Sequence, residues 1–156
     1  MAGGNLHLQV YETKADFADV RQNLIDAIID RGYVLDFNGR VGDMLKRTRK
    51  DVGGKPIYRN AEYMAFCSAV LSRNTMEADA QNIGYCPYIL TVYENIENPG
   101  TIYAGYRKLS SSKNTDQSLV AVDKMLDEIA REAVEQPASC GIGTNLNQAI
   151  HFSDYI

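Results

Sequence analysis

The chain has 156 residues, 45% of them apolar, and a formal net charge of -4 with an isoelectric point near 5.1. That length suits one domain able to bury a core without disulfides or a structural metal, and the acidic balance argues against nucleic-acid binding, which needs clustered basic charge to displace counterions. No window approaches the roughly eighteen uninterrupted apolar residues of a membrane span; the start "MAGGNLHLQVYE" also lacks the charged and apolar regions of a secretory signal, so a cytoplasmic protein is expected.

"LHLQVYE" alternates Leu6, Leu8 and Val10 against His7, Gln9 and Tyr11, which predicts a first strand with the aliphatic side buried. Thr13 precedes Asp16 at capping-box spacing, and Phe17, Val20, Leu24, Ala27 and Ile28 then recur at helical intervals until Gly32 supplies a left-handed stop. "YVLDFNGRV" predicts a second strand running into a turn at Asn38 and Gly39. "GDMLKRTRKDVGGK" predicts a short helix from Asp43 to the glycine pair Gly53 and Gly54. Within it "KRTRK", Lys46 to Lys50, reads as a solvated helix face or as a local anion or partner contact.

"IYRNAEYMAFC", Ile57 to Cys67, is dense in strand-forming types, and Ser68 is placed to cap a helix through "AVLSRNTMEADAQN". "PYILTVYENI" predicts a central strand with Ile89, Leu90, Val92 and Tyr93 buried on both faces, joined by "ENPG" to "TIYAGYRKL" as a hairpin. After the polar spacer "SSSKNTD", Leu119, Val122, Leu126, Ile129 and Ala133 step by three and four and predict a long amphipathic helix closed by Pro137. The boundaries are thus one domain over 1–136 and an extension over 137–156, apolar enough to pack on the core or on a partner subunit.

This order of elements resembles the family known as domain of unknown function 302. The residues that carry the resemblance are "DFADVRQNLIDAIIDRGYVL", "YMAFCSAVL", "CPYILTVYENIENPGTIYAGYRK" and "LVAVDKMLDEIAREAV", within the span from Leu8 to Val134. It implies a compact α+β domain, an antiparallel sheet of TATA-binding-protein-like shape backed by two long helices, and pairing into a homodimer. It implies no activity. Many relatives carry Leu-Pro or Met-Pro where this chain has Cys86-Pro87, and Asn-Pro where it has Cys67-Ser68. Nothing carries over to the segment after Glu135, which holds Cys140 and His151.

An odd set of three cysteines in a reducing compartment predicts no structural disulfide. Cys67 and Cys86 end one predicted strand and begin another, so the sheet can bring them to one edge. They read either as small buried hydrophobes or as reactive thiols. A helix beginning at Ser68 places its terminus beside Cys67, a setting that favours thiolate.

Two functional readings share the pair. In the first, the protein holds an apolar ligand, with haem as the concrete candidate: Cys86-Pro87 resembles the cysteine-proline pairs that give haem an axial thiolate, with Cys67, Tyr85, Tyr88, Met64 and Arg107 around it. His7 and His151 are the weaker axial candidates. In the second, the two thiols carry sulfur or electrons, with a sulfur-donor protein as partner. A third class is an interaction domain without a small ligand.

Zinc is disfavoured because no C-x-x-C spacing occurs. "CGIGTNL" resembles a dinucleotide loop but lacks the third glycine and a preceding strand. No G-x-S-x-G occurs either, and Glu62 and Glu94 read as solvent-facing strand residues and not as general bases. The expectation is a binding or carrier protein without a standard catalytic set.

Overall fold

The structure is a computed structural model that describes residues 8–111 and 116–136. Along the chain run β1 (Leu8–Thr13), α1 (Phe17–Asp30), β2 (Leu35–Gly39), α2 (Val41–Val52), β3 (Tyr58–Phe66), α3 (Ala69–Ala78), a 3-10 helix (Ala80–Tyr85), β4 (Tyr88–Asn95), β5 (Ile102–Arg107) and α4 (Gln117–Glu135). The strands form one antiparallel sheet in the order β1-β5-β4-β3-β2. This is the α+β architecture expected, with α1 and α4 as the two long helices on one face of the sheet.

The core lies between that face and those helices. Leu24 and Ile28 of α1 and Leu119, Leu126 and Ile129 of α4 close over Met64, Phe66, Tyr88, Leu90 and Val92 of β3 and β4, all essentially without solvent exposure. Each such side chain contributes about 1.5–3 kcal/mol by leaving water. The helical periodicity read from the sequence is the buried stripe in both helices.

Polar groups fix how the layers meet. Arg21 of α1 donates to Glu62 of β3 and to Asn38 of β2, both at 2.7 Å, and Asn38 donates in turn to Glu62 at 2.9 Å. Glu94 accepts from Asn60 and from the Gly100 backbone, each at 3.0 Å, and lies near Arg59. Both glutamates, expected to face solvent, therefore sit on the helix side of the sheet in bonded networks. The Gly100 backbone bond holds the Glu94 carboxyl below the usual range, outweighing its burial, with Asn60 and Arg59 helping.

Several local expectations are corrected. In β1 the helix-facing residues are Gln9, Tyr11 and Thr13, in register with Tyr106, Ala104 and Ile102, while Leu8 and Val10 take the other face. Tyr11 wins the inner side because its hydroxyl reaches Asp127 of α4, where it donates together with Tyr106. Thr13 does not cap α1. Asp16 occupies the N-cap, its carbonyl accepting from Asp19 and Val20, while the Thr13 hydroxyl accepts from Ala15.

Asn38 and Gly39 form no turn: both pair with β3, and the Tyr63 ring lies so close over Gly39 that a Cβ there would overlap it. Of the β4 residues expected to be buried, Leu90 and Val92 are, whereas Ile89 and Tyr93 are half-buried on the other face. The helix expected through Asn82 breaks at Asp79, whose side chain accepts from Gln81 at 2.8 Å and starts the 3-10 turn. Asn82 then donates to the Thr75 carbonyl at 2.8 Å, beside the Asp79 backbone amide that bonds the same oxygen at 3.1 Å.

Candidate functional site

Register brings the two cysteines together. Phe66 at the end of β3 pairs with Tyr88 at the start of β4, so the residues just beyond, Cys67 and Cys86, meet at the same end of the sheet. Ser68 leaves the strand with extended backbone and caps α3, its hydroxyl accepting from Leu71 at 3.3 Å. From the other side the 3-10 helix ends at Tyr85 and delivers Cys86 through a cis Cys86-Pro87 bond into β4.

The two Sγ atoms are 2.8 Å apart, both thiols free and partly exposed. That separation is longer than the ~2.05 Å of a disulfide bond and shorter than an ordinary non-bonded contact between sulfurs, so the two are within reach of bond formation. Ser72, one turn beyond Ser68 on α3, places its Oγ 3.5 Å from Cys86 Sγ and 2.9 Å from the Tyr88 hydroxyl. Beneath lie the rings of Phe66 and Tyr88, edge to face with centroids 5.8 Å apart, and Tyr33 against Phe66 at 5.5 Å.

Burial over these rings pushes the Cys67 thiol up to about 11, and the hydrogen bond to Cys86 and the negative charge Cys86 can carry push the same way. The Tyr88 backbone amide opposes this only in part. The sequence reading had the start of α3 favouring a Cys67 thiolate. The apolar floor and the neighbouring sulfur outweigh it, so Cys67 keeps its proton at neutral pH. Burial likewise raises the Tyr88 phenol, with the thiols adding to the rise and the Ser72 bond opposing it.

Arg107 has a structural hold on the site. Its Nη2 donates to the carbonyls of Pro87 at 2.7 Å and Tyr85 at 3.3 Å, clamping both sides of Cys86, while its Nε is buried without a partner among the described residues. Among the residues singled out from the sequence, the structure thus gathers Cys67, Cys86, Tyr85, Tyr88 and Arg107. Met64 lies two residues down β3 from Phe66, fully buried in the core beside Leu90.

The tyrosine cluster divides between the faces: Tyr88 and Tyr106 point into the core, while Tyr93 and Tyr103 stack on the other face with centroids 5.0 Å apart. His7, His151, Cys140 and the extension 137–156 lie outside the described residues. Ser72 was missed, although its spacing from Ser68 puts both hydroxyls on one side of α3.

Among the described residues, no three His, Cys, Asp or Glu side chains converge to hold a metal ion, and no helix is long and apolar enough to cross a membrane. Two free sulfurs in close approach, with a serine hydroxyl beside one of them, are placed for thiol exchange.

No family model and no curated protein matches the sequence. A search of solved structures finds the fold in a crystal structure described as an uncharacterized conserved protein DUF302 from Bacillus stearothermophilus, with a TM-score of 0.68 at 13% identity. The match covers 82% of this chain and 98% of that one, so the likeness extends over nearly the whole of the other protein. The sheet and helices described above are therefore a DUF302-like fold, in agreement with the resemblance carried by the sequence.

Proposed function

We propose that the protein is a thiol-based carrier of sulfur or electrons in which Cys86 is the attacking sulfur and Cys67 the resolving one. The observation that carries this reading is the 2.8 Å approach of the two free sulfurs. Two donors can converge on Cys86 Sγ: the Cys67 thiol, and the Ser72 hydroxyl when Tyr88 donates to Ser72. The nucleophile in such exchange is a thiolate.

With a disulfide such as oxidised glutathione, Cys86 thiolate attacks one sulfur and expels one glutathione thiolate. Cys67 then loses its proton and attacks Cys86 Sγ, forming the Cys67-Cys86 disulfide and expelling the second glutathione thiolate. Two thiols are oxidised and one external disulfide is reduced. With a persulfide as sulfane-sulfur donor, Cys86 thiolate attacks the outer sulfur and expels the donor thiolate, leaving a Cys86 persulfide; Cys67 thiolate then attacks Cys86 Sγ, forming the Cys67–Cys86 disulfide and expelling hydrosulfide. In a reducing compartment such as the cytoplasm the pair rests as thiols, ready to accept from a sulfur-donor protein.

Mass spectrometry after treatment with polysulfide or oxidised glutathione tests this. The expected result is added sulfur or glutathione on Cys86 in Cys67→Ser, and an intramolecular disulfide in the unsubstituted chain. An unmodified pair would sink the proposal. Haem ligation draws on the same Cys86 sulfur and is the competing reading: a saturable Soret band that shifts in Cys86→Ser would favour it. Pairing of two copies through the sheet face that carries the Tyr93–Tyr103 stack fits the half-buried rings and the orphaned Thr91 hydroxyl there, and sedimentation velocity tests it.

A further inference from the structure

At the opposite end of β3 from the thiols, roughly 25–30 Å away for a strand of this length, α2 and the start of β3 enclose a cleft of about 580 Å³. α2 buries none of its residues, yet it carries Leu45 and Val52 toward this space. Gly53 and Gly54, with φ of +75° and +106°, turn the chain back so that Lys55 and Ile57 form the far wall. Ile96, following β4, completes an apolar lining in which Val52 is 79% and Ile57 54% exposed. Side chains of this size left open together in a concave surface mark a binding site.

The rim is basic. Lys46 and Arg49 of the "KRTRK" run and Lys55 of the turn border the cleft, and among the described residues none of the three has a carboxylate partner. Arg59 also borders it but is engaged by Glu94, and the one acid on the rim, Asp43, is near Arg40. Helical spacing divides the run, because Arg47 and Lys50 do not line the cleft. An apolar floor with unpaired cations at its edge is complementary to a molecule with an apolar body and an anionic head.

The geometry points to this cleft as a binding site for a small amphipathic organic anion, of the acyl or aryl carboxylate class, its apolar body against Leu45, Val52, Ile57 and Ile96 and its head on Lys46, Arg49 and Lys55. The concavity and volume fall within the usual range of small-ligand sites, about 300–1,000 Å³. The site is independent of the thiol pair, and loading it requires no redox change.

The test is a fluorescence titration of the full chain with 1-anilinonaphthalene-8-sulfonate, an aryl anion, followed by displacement with decanoate. The expected result is saturable uptake of one probe per chain, reversed by decanoate, and weakened about tenfold or more by Arg49→Glu, since one lost charge contact on a desolvated head is of that order. Leu45→Asp, a change on the floor, should weaken it similarly with the circular dichroism spectrum unchanged.

Lys50→Glu makes the same charge change on the same helix outside the cleft and should leave the affinity within about twofold of the unsubstituted chain, as screened surface charges do. Equal weakening by Lys50→Glu and Arg49→Glu would reduce the effect to net charge and overturn the assignment. Non-saturable uptake would overturn it as well. So would absent uptake accompanied by Arg49→Glu dissociating a dimer, which would give the cleft to a second copy of the chain.

Discussion

At its C-terminal end β3 passes Phe66 into the core and Cys67 into a cluster whose partners all come from this chain: Cys86, Ser72, Tyr88 and the carbonyl clamp of Arg107. At its N-terminal end the same strand begins beside exposed aliphatic side chains and three cations, Lys46, Arg49 and Lys55, that no carboxylate among the described residues neutralises. The first region rests on the packed core, so its geometry is held and its reactivity is tuned by burial. The second is built on a helix with no buried residue, its apolar and basic groups left open among the described residues. Substitutions should separate the two.

Phe66→Ala should have the largest effect. The ring is fully buried against Tyr33 and Tyr88, and its loss should cost about 3–5 kcal/mol in denaturant unfolding. On the helix at the other end, Val52→Ser should change stability by no more than about 0.5 kcal/mol, because Val52 is 79% exposed. Equal losses from the two would mean that α2 is part of the cooperative core.

An alkaline dependence should come next. The Cys67 thiol titrates near 9.0 when unfolded and near 11 in the fold, so between those values the native state holds a proton that the unfolded chain has released. Stability should therefore be level below about pH 9, fall as pH rises toward 11, and level off beyond, as far as this group is concerned. The raised phenols of Tyr88 and Tyr106, both driven first by burial, act in the same direction at higher pH. Cys67→Ser should flatten the lower part of this slope in urea melts taken across the range.

At acid pH the sign reverses. Burial alone would raise Asp127, but hydrogen bonds from Tyr11 and Arg131 with the Arg131 charge hold it below 3.8. Its contribution is complete above that ordinary value and is lost as pH falls through the lowered one. Asp127→Asn should diminish the acid-side loss while leaving the alkaline slope in place.

The structural effect of Ser72→Ala should also be small, about 1 kcal/mol or less for one partly buried hydroxyl. Its informative readout is chemical: the rate of Cys86 modification by iodoacetamide near neutral pH should fall when the second donor to that sulfur is removed. An unchanged rate would take Ser72 out of the mechanism.

Long periodic helices and the β4–β5 hairpin were legible because burial repeats over many residues: every apolar position marked in α4 is in the core. β1 was read upside down because at an edge strand the alternation of Leu8 and Val10 competes with an amphipathic tyrosine, and only the distant Asp127 decides which side faces in. The Asn38-Gly39 pair looked like a turn, yet the ring of Tyr63, far along the chain, explains the glycine. For the candidate site, the meeting of Cys67 and Cys86 followed from their places at strand ends. The contribution of Ser72 and the direction of the Cys67 shift depend on packing between separate elements, which local sequence does not encode.

The most direct test of the thiol reading uses Cys140→Ser, so that only Cys67 and Cys86 remain, equilibrated in glutathione buffers of graded ratio, quenched, digested and read by mass spectrometry. The expected result is a reversible conversion from two free thiols to a single Cys67–Cys86 linkage, with glutathione trapped on Cys86 when Cys67 is replaced by serine. Two thiols that stay free across the whole series, or that carry only separate glutathione adducts without ever joining, would contradict a paired carrier.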